Sequence, residues 1–131
     1  MNSYEPEFEG KSCLVTGGAG FIGSNLSRHL ASIGANVLVI DNFVTGRKQN
    51  TFDFQRLGIR LVKADISDQS STEAFFSDID FVFHQAAVPS VPRSIAEPML
   101  TNKSNVKGTL SVLENSRLND VKKVVFKKLN S

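Results

Sequence analysis

The sequence predicts an α/β protein in which a parallel β-sheet carries helices on both faces. Five short apolar runs alternate with segments of helical period over 131 residues, a pattern typical of strands joined by crossover helices. The connections are short, and a chain of this length forms one domain. The first apolar run breaks into glycines and resumes as an amphipathic segment, which indicates a strand, a tight turn and a helix.

The glycine-rich turn follows the first run, Ser12 to Thr16, and contains Gly17, Gly20 and Gly23. This G-x-x-G-x-x-G spacing is one residue wider in its first interval than the G-x-G-x-x-G pattern of dinucleotide-binding domains. We expect Gly17 to permit the turn, Gly20 to admit a pyrophosphate to the backbone, and Gly23 to let the helix pack against its strand. The phosphates would face the positive end of that helix. The alternative is a glycine turn with a purely structural role.

The first helix is predicted from Phe21 to Ile33, with Gly34 closing its C-terminal end. The second strand, Asn36 to Asp41, ends in an acid that lies 18 residues beyond Gly23. A carboxylate at this place can accept hydrogen bonds from an adenine ribose and would repel the 2′-phosphate of NADP, so the sequence favours NAD. The apolar face of the helix is expected to carry Ile22, Leu26, Leu30 and Ile33.

The rest of the chain supplies three more strands and three more helices. Val106, Leu110 and Leu113 are predicted to face the core from the last helix. The expected elements are strands at 59–64, 79–84 and 121–126, a short helix at 49–57, a helix at 68–76 capped by Asp68 or Ser70, a loop at 88–98 and a long helix at 99–118.

Right-handed crossovers with one reversal of winding give a strand order of 3-2-1-4-5. The predicted fold is therefore a Rossmann-type doubly wound parallel sheet, truncated after strand five. Residues 1–10 form a polar extension, and residues 11–131 form the incomplete dinucleotide-binding domain. The winding reverses between strands one and four, so we expect a ligand crevice at their carboxyl ends. His84, at the end of strand four, is interpreted as a histidine bonded to backbone and not as a catalytic group.

Composition narrows the choice of partners. Fifteen basic and thirteen acidic side chains leave the chain near neutral, so bulk charge gives no case for a nucleic-acid or membrane partner. Cys13 is expected to be a buried, inert thiol in a reducing compartment. We recognise no secretory signal and no membrane span, and therefore expect a cytoplasmic protein. We assign no metal ligands.

Several motifs in combination resemble the extended short-chain dehydrogenases, specifically the NAD-dependent epimerase/dehydratase family of sugar-nucleotide enzymes. The similarity covers about Lys11 to Phe126. The segment 90–94 is most similar to the branch that acts on UDP-hexoses or UDP-N-acetylhexosamines. The matching motifs are 16–24, 41–43 with 45–46, 65–66, 84–87, 90–94 and 105–109.

The resemblance implies NAD as cofactor and a role for each matched position. The residues expected to contact the adenosine half of NAD are Gly17, Gly20, Phe21 and Ile22 at the pyrophosphate, Asp41, Asn42, Thr45 and Gly46 at the adenosine ribose, and Asp65 and Ile66 at the adenine. The residues expected at the nicotinamide half are Gln85, Ala86, Ala87 and Asn105. Ser90 is expected to contact the sugar nucleotide and not NAD.

The chain departs from the family where the general base should lie. Family members carry a Tyr-x-x-x-Lys pair beyond strand five, whereas here Phe126 is followed by five residues and the only tyrosine is Tyr4. A general base must lie within hydrogen-bond reach of its proton, so we assign no catalytic residue.

The resemblance thus implies the NAD-binding portion of a UDP-sugar 4-epimerase that is inactive as this chain alone. The alternatives are a stand-alone NAD-binding module, a fragment of an NAD-dependent sugar-nucleotide dehydratase or decarboxylase, and catalysis completed by another polypeptide. A UDP-sugar would be a partner only where the missing part is supplied. The edge at strand five predicts self-association.

Overall fold

The structure is a computed structural model that describes the backbone of residues 5–85 and 98–126, and the side chains of 7–85 and 106–126. Its strands are β1 (Ser12–Thr16), β2 (Asn36–Asp41), β3 (Arg60–Lys63), β4 (Phe81–His84) and β5 (Lys123–Phe126). They form a parallel sheet in the order β3-β2-β1-β4-β5. The predicted strand order and fold class are confirmed.

Helices lie between the strands. They are α1 (Glu5–Phe8), α2 (Phe21–Ser32), α3 (Gln69–Thr72) and α4 (Pro98–Leu118), with 3-10 turns at Lys48–Thr51 and Glu73–Phe76. The Asp68 carboxylate caps α3 by accepting a bond from the Ser71 amide at 3.3 Å, so the first of the two expected caps is used. The short helix expected at 49–57 is only a 3-10 turn followed by further turns. No helix in the described ranges is long and apolar enough to cross a membrane.

The core occupies both faces of the sheet, because successive strand residues point to opposite sides. Cys13 and Val15 pack with Leu30 of α2 on one face, and Leu14 packs with Val112 of α4 on the other. Cys13 is completely buried, as predicted. Burial, with a smaller contribution from Asp80, raises the pKa of its thiol to about 12, which suppresses the reactive thiolate.

The orientation predicted for the long helix is wrong. Val106, Leu110 and Leu113 were expected in the core, but their exposed fractions are 56%, 60% and 42%. Within residues 106–118 of α4, the buried residues are mostly small or polar: Gly108, Ser111, Val112, Asn115 and Ser116. The apolar stripe therefore faces away from the sheet.

Two contacts explain why α4 presents its polar side to the sheet. The Asn115 side chain is fully buried, accepts a bond from Gln69 Nε2 at 2.7 Å and donates to Thr72 Oγ1 at 3.3 Å. A Cβ at Gly108 would lie 3.6 Å from Ile66 Cγ2, an ordinary van der Waals distance, so the helix packs beside the loop after β3 at that position. Turning α4 over would expose the Asn115 amide to water and place apolar side chains against Gln69 and Thr72, which would then lack this partner.

Ile22 is a second correction. It was expected on the buried face of α2, but it is 52% exposed, and the neighbouring Phe21 is 75% exposed. The helix instead buries Ser24, Ser27 and Leu30 against the sheet. The two large apolar side chains at the start of α2 therefore lie at the surface beside the end of β1.

Candidate functional site

The glycine turn, residues 17–20, connects β1 to α2 at the carboxyl edge of the sheet. Gly17 has a φ of +72°, a conformation that a residue with a Cβ adopts only with strain. Its amide donates to the Ile40 carbonyl at 2.8 Å, which ties the turn to the end of β2. The expected role of Gly17 in permitting the turn is confirmed.

Gly23 is required by a close approach of backbone. A Cβ added there would lie 2.4 Å from the Gly17 carbonyl oxygen and 2.9 Å from Gly18 Cα. The sequence suggested packing between the helix and its strand, whereas the contact is with the backbone of the glycine turn. The first turn of α2 is therefore seated directly on residues 17 and 18.

Gly20 differs from both, because none of the described residues requires a glycine there. Its φ is −74°, which any residue adopts, and within the described part of the chain an added Cβ would meet only the Gly17 carbonyl oxygen, at the ordinary distance of 3.5 Å. The space in front of Gly20 is consequently open to a ligand. A methyl group at this position would occupy that space.

The start of α2 suits an anion. Gly20 is the N-cap residue and supplies no side-chain cap, and the first amides of any α-helix lack partners within the helix. These amides and the aligned peptide dipoles favour negative charge. An open glycine in front of such a terminus can receive a phosphate group.

Asp41, at the tip of β2, holds two parts of the site together. It is 7% exposed, and its Oδ2 accepts a bond from the Ala19 amide at 2.9 Å. Its Oδ1 accepts a bond from the Phe43 amide at 2.7 Å. An ionised carboxylate has about four acceptor positions, so Asp41 retains capacity to accept a bond from a ligand hydroxyl.

The β2 loop, residues 42–47, folds back over the glycine turn. A Cβ at Gly46 would lie 2.7 Å from Ala19 Cβ and 2.9 Å from Asp41 Oδ2, so only a glycine fits there. Phe43 has a φ of +64°, which is uncommon for a large side chain. Asn42 and Thr45 are exposed at the rim of the loop.

Asp65 and Ile66 follow β3 on the same edge of the sheet. The Asp65 carboxylate accepts bonds from the Ser67 hydroxyl at 2.7 Å and the Ser67 amide at 3.0 Å. These bonds, aided by the charge of Lys107, hold the pKa of Asp65 below its usual value. Asp65 is exposed, whereas Ile66 is half-buried.

Among the residues that the structure describes, the ring of His84, at the end of β4, bonds to side chains, whereas the sequence suggested a bond to backbone. Its Nδ1 lies 2.7 Å from Thr16 Oγ1, and its Nε2 lies 3.4 Å from Thr109 Oγ1. Burial lowers the pKa of His84 to about 4, so the ring is neutral near pH 7. A neutral imidazole has one donor and one acceptor, and it joins β1 and β4 to α4.

The structure places Gln85 beside this histidine but leaves part of the expected site undescribed. The Gln85 amide donates to the Thr16 carbonyl at 2.9 Å, and its buried Oε1 finds no partner among the described residues. Asn105 lies on α4, in the stretch where only the backbone is described. The remaining predicted contacts lie outside the described residues: Ala86, Ala87 and Ser90. Most of the loop expected at 88–98 also lies outside them.

Sequence reasoning missed the residues that hold the site in shape. Ala19 was not singled out, although its amide is bonded to Asp41 and its carbonyl accepts bonds from the Arg47 amide at 3.1 Å and Asn50 Nδ2 at 2.9 Å. Arg28, on α2, was also missed. Neither periodicity nor motif spacing marks these positions, because their contacts depend on how the β2 loop folds.

The strand order, the glycine turn and the acid at the tip of β2 define a Rossmann-type α/β domain. Residues 13–127 match the sequence profile of the NAD dependent epimerase/dehydratase family. The chain belongs to that family.

Three relatives show the extent of the similarity. A putative UDP-glucose 4-epimerase of Methanocaldococcus jannaschii is 40% identical over 114 residues, covering 86% of this chain and 36% of that protein. UDP-glucuronic acid decarboxylase 4 of Arabidopsis thaliana is 39% identical over 101 residues, covering 76% of this chain and 22% of that protein. The solved Thermus thermophilus UDP-glucose 4-epimerase, a complex with NAD, superimposes with a TM-score of 0.78 and 38% identity, covering 88% of this chain and 36% of that one.

The chain therefore spans about a third or less of the length of these relatives. The matched third contains the five-stranded sheet and the glycine turn.

Proposed function

We propose that this chain is the NAD-binding portion of a UDP-sugar 4-epimerase, without catalytic activity as this chain alone. The observation that carries the proposal is Gly20, which neither its backbone conformation nor packing against the described residues requires to be a glycine. A glycine that these residues do not need is explained by a ligand that approaches the backbone closely. The helix start behind it favours a phosphate.

The proposed cofactor contacts follow the carboxyl edge of the sheet. The amides of Phe21 and Ile22 would bind the pyrophosphate, and their exposed side chains would be covered by the cofactor. Asp41 would accept hydrogen bonds from the adenosine ribose, with Asn42 and Gly46 beside it. Gly17 remains the turn residue that shapes this end of the site.

The other proposed contacts lie on β3, β4 and α4. Asp65 would accept a bond from the adenine amino group, and Ile66 would flank the ring. At the nicotinamide end we propose Gln85 and Asn105. The remaining proposed contacts are Thr45 at the ribose, Ala86 and Ala87 at the nicotinamide half, and Ser90 at the sugar nucleotide.

When bound, NAD supplies reversible hydride acceptance, the chemistry that inversion at C4 of a hexose requires. The residues of this chain contribute binding and orientation. Asp41 also disfavours the 2′-phosphate of NADP by like charge, which supports NAD as the cofactor. We keep a cytoplasmic location as part of the proposal, in agreement with the buried free thiol of Cys13.

The NAD-binding portion of a UDP-glucuronic acid decarboxylase is the second candidate. The Arabidopsis relative carries that name at 39% identity, close to the 40% of the epimerase relative. We favour the epimerase because the chain covers more of that relative and superimposes on a solved 4-epimerase. Both candidates use the same cofactor site.

Gly20→Ala tests the proposal. Because the new methyl meets only one protein atom at an ordinary distance, we expect the variant to keep the thermal midpoint of the wild type. The methyl fills the space in front of the helix start, so we expect NAD affinity to fall about tenfold, or about 1.4 kcal/mol. Isothermal titration calorimetry with NAD measures this difference.

Gly58→Ala is the control, because Gly58 precedes β3 at the amino edge of the sheet, away from the proposed contacts, and an added methyl would meet nothing within 4 Å among the described residues. Its φ of +76° makes an alanine strained there, so the thermal midpoint should fall while NAD affinity stays within about twofold of the wild type. A Gly20→Ala protein that binds NAD as tightly as the wild type would contradict the proposal.

A further inference from the structure

Arg28, on the solvent side of α2, joins the helix to the segment after the β2 loop. Its Nε donates to both carboxylate oxygens of Asp53, each at 3.0 Å. One of its terminal nitrogens donates to the Asn50 carbonyl, and the other donates to Asn25 Oδ1 at 3.2 Å. The Asp53 side chain is only 9% exposed and that of Arg28 25%, so this ion pair is largely shielded from water.

Two aromatic rings fix the guanidinium in place. Its central carbon lies 5.8 Å from the centroid of Phe52 and 5.6 Å from that of Phe54. Phe54 is almost fully buried, with 2% exposed. A planar guanidinium can stack on rings while it donates several hydrogen bonds in fixed directions, which a lysine ammonium cannot do.

Asn50 carries the connection from Arg28 to the glycine turn. Its backbone carbonyl accepts the bond from Arg28, while its side-chain Nδ2 donates to the Ala19 carbonyl at 2.9 Å. The Arg47 amide donates to the same carbonyl at 3.1 Å. Since Asp41 accepts from the Ala19 amide at 2.9 Å, both polar backbone groups of Ala19 are held by residues at or after the end of β2.

We infer that Arg28 is a positioning residue that preforms the adenosine-ribose site, because through Asp53 and Asn50 it holds the β2 loop against the glycine turn. The inference rests on the proposed function, in which Asp41 and the β2 loop receive the ribose. Arg28 does not touch the ligand. Its effect is on the fraction of molecules in which the β2 loop is already folded back.

The expected effect on binding follows from that fraction. When only a fraction of the protein is competent to bind, the apparent Kd equals the intrinsic Kd divided by that fraction. If removal of the Arg28 side chain leaves about a tenth of the molecules with the β2 loop in place, the Kd for NAD and for ADP-ribose rises about tenfold. Both ligands should be affected equally, because both contain the adenosine ribose.

The chain offers a matched control at Arg56. Its guanidinium also lies beside Asp53, with Nη2 3.9 Å from Oδ2, but the side chain is 74% exposed. The part of the chain that is described gives it no bond to Asn50 and no ring stacking. Arg56→Ala therefore removes an arginine near the same carboxylate without breaking the connection to Ala19.

Hydrogen exchange of backbone amides tests the inference without any ligand. In Arg28→Ala we expect the Arg47 amide, which is bonded to Ala19, to exchange about tenfold faster, while amides within β1 and β4 keep their wild-type rates. Arg56→Ala should leave the Arg47 amide unchanged. If Arg28 only stabilised the fold in general, its removal would instead raise exchange throughout the sheet, or lower the thermal midpoint without a specific effect on the Arg47 amide.

Asn50→Ala provides a second variant, because it removes only the side-chain bond to Ala19 and keeps the carbonyl that Arg28 uses. It should accelerate exchange of the Arg47 amide in the same way, so the test remains decisive if Arg28→Ala does not fold. The inference is overturned if a folded variant of either residue shows wild-type exchange at Arg47, or wild-type Kd values for NAD and ADP-ribose. A wild-type chain that binds neither ligand would refute the proposed function, and the exchange rates would still decide the role of Arg28.

Discussion

The helices α2 and α4 cover opposite faces of the same sheet, and they bury different kinds of side chain against it. From α2, Leu30 enters the core with 2% exposed, and Arg28 on the outer side is bonded to Asp53. From α4, Val112 and the polar Asn115 are both fully buried, whereas Leu110 is 60% exposed. An apolar stripe on a helix therefore does not by itself identify the side that faces the sheet.

The polar contacts of each helix account for this difference. Asn115 and Gln69 bond to each other across α4 and α3, and the Asn115 amide also donates to Thr72 Oγ1, so this face of α4 matches polar groups of α3 that a leucine would leave without this partner. On α2 the other buried residues, Gly23, Ser24 and Ser27, are small, so Leu30 is the large side chain among the buried residues of this helix. The orientation of α2 on the sheet therefore depends on contacts close to the glycine turn, whereas the orientation of α4 depends on its bonds to α3.

The largest expected effect comes from a matched pair of leucines. Leu30→Ala opens a cavity in the core beneath α2 and should lower the free energy of unfolding by about 2–5 kcal/mol. Leu110→Ala removes the same atoms from an exposed position on α4 and should change it by about 0.5 kcal/mol or less. Chemical denaturation monitored by circular dichroism measures both. Because each change is Leu to Ala within a helix, helix propensity cancels in the comparison.

The comparison fails if Leu110→Ala costs as much as Leu30→Ala. That outcome would place Leu110 in a buried environment, and the outward orientation of the α4 stripe would be wrong.

A smaller effect concerns pH, because His84 connects α4 to the sheet through Thr109 and Thr16. Burial lowers the pKa of His84 from 6.5 to about 4, so between these values the unfolded chain binds a proton that the folded chain does not. The contribution of His84 to the free energy of unfolding is therefore fully present above about pH 6.5 and is lost as the pH is lowered towards 4. The full difference amounts to about 3 kcal/mol.

Denaturation curves measured at half-unit steps from pH 7 to pH 4 check this expectation, with His84→Gln as the variant that lacks the titrating group. The wild type should lose stability across this window, and His84→Gln should lose much less of it. Hydrogen bonds from Ser67 and Ser12 hold the pKa values of Asp65 and Asp80 low. The contribution of these two carboxylates to the free energy of unfolding is therefore lost only below this pH window. Identical slopes for wild type and variant would contradict the buried, neutral state of His84.

The sequence predicted the strand order and the glycine turn because both depend on local signals. Alternating apolar runs and right-handed crossovers are sufficient for the order β3-β2-β1-β4-β5. The conformation of Gly17 follows from the turn itself. Asp41 was identified because an acid at the tip of the second strand has a defined spacing from the glycines.

The contacts made by Ala19, Asn50 and Arg28 could not be predicted, because they join segments whose mutual placement the sequence does not encode locally. The same reason explains the error at Leu110. The periodicity of α4 marks its two faces, but only the bonds of Asn115 to α3 select between them.

We propose that the described residues contain a complete adenosine site for NAD. Calorimetric titration of the folded wild-type chain with NAD is the decisive test. We expect saturable heat with one NAD per chain, a Kd of about 1 mM or tighter, or about −4 kcal/mol, and weaker binding of NADP. A cooperatively folded sample that shows no binding heat at millimolar NAD would contradict the claim.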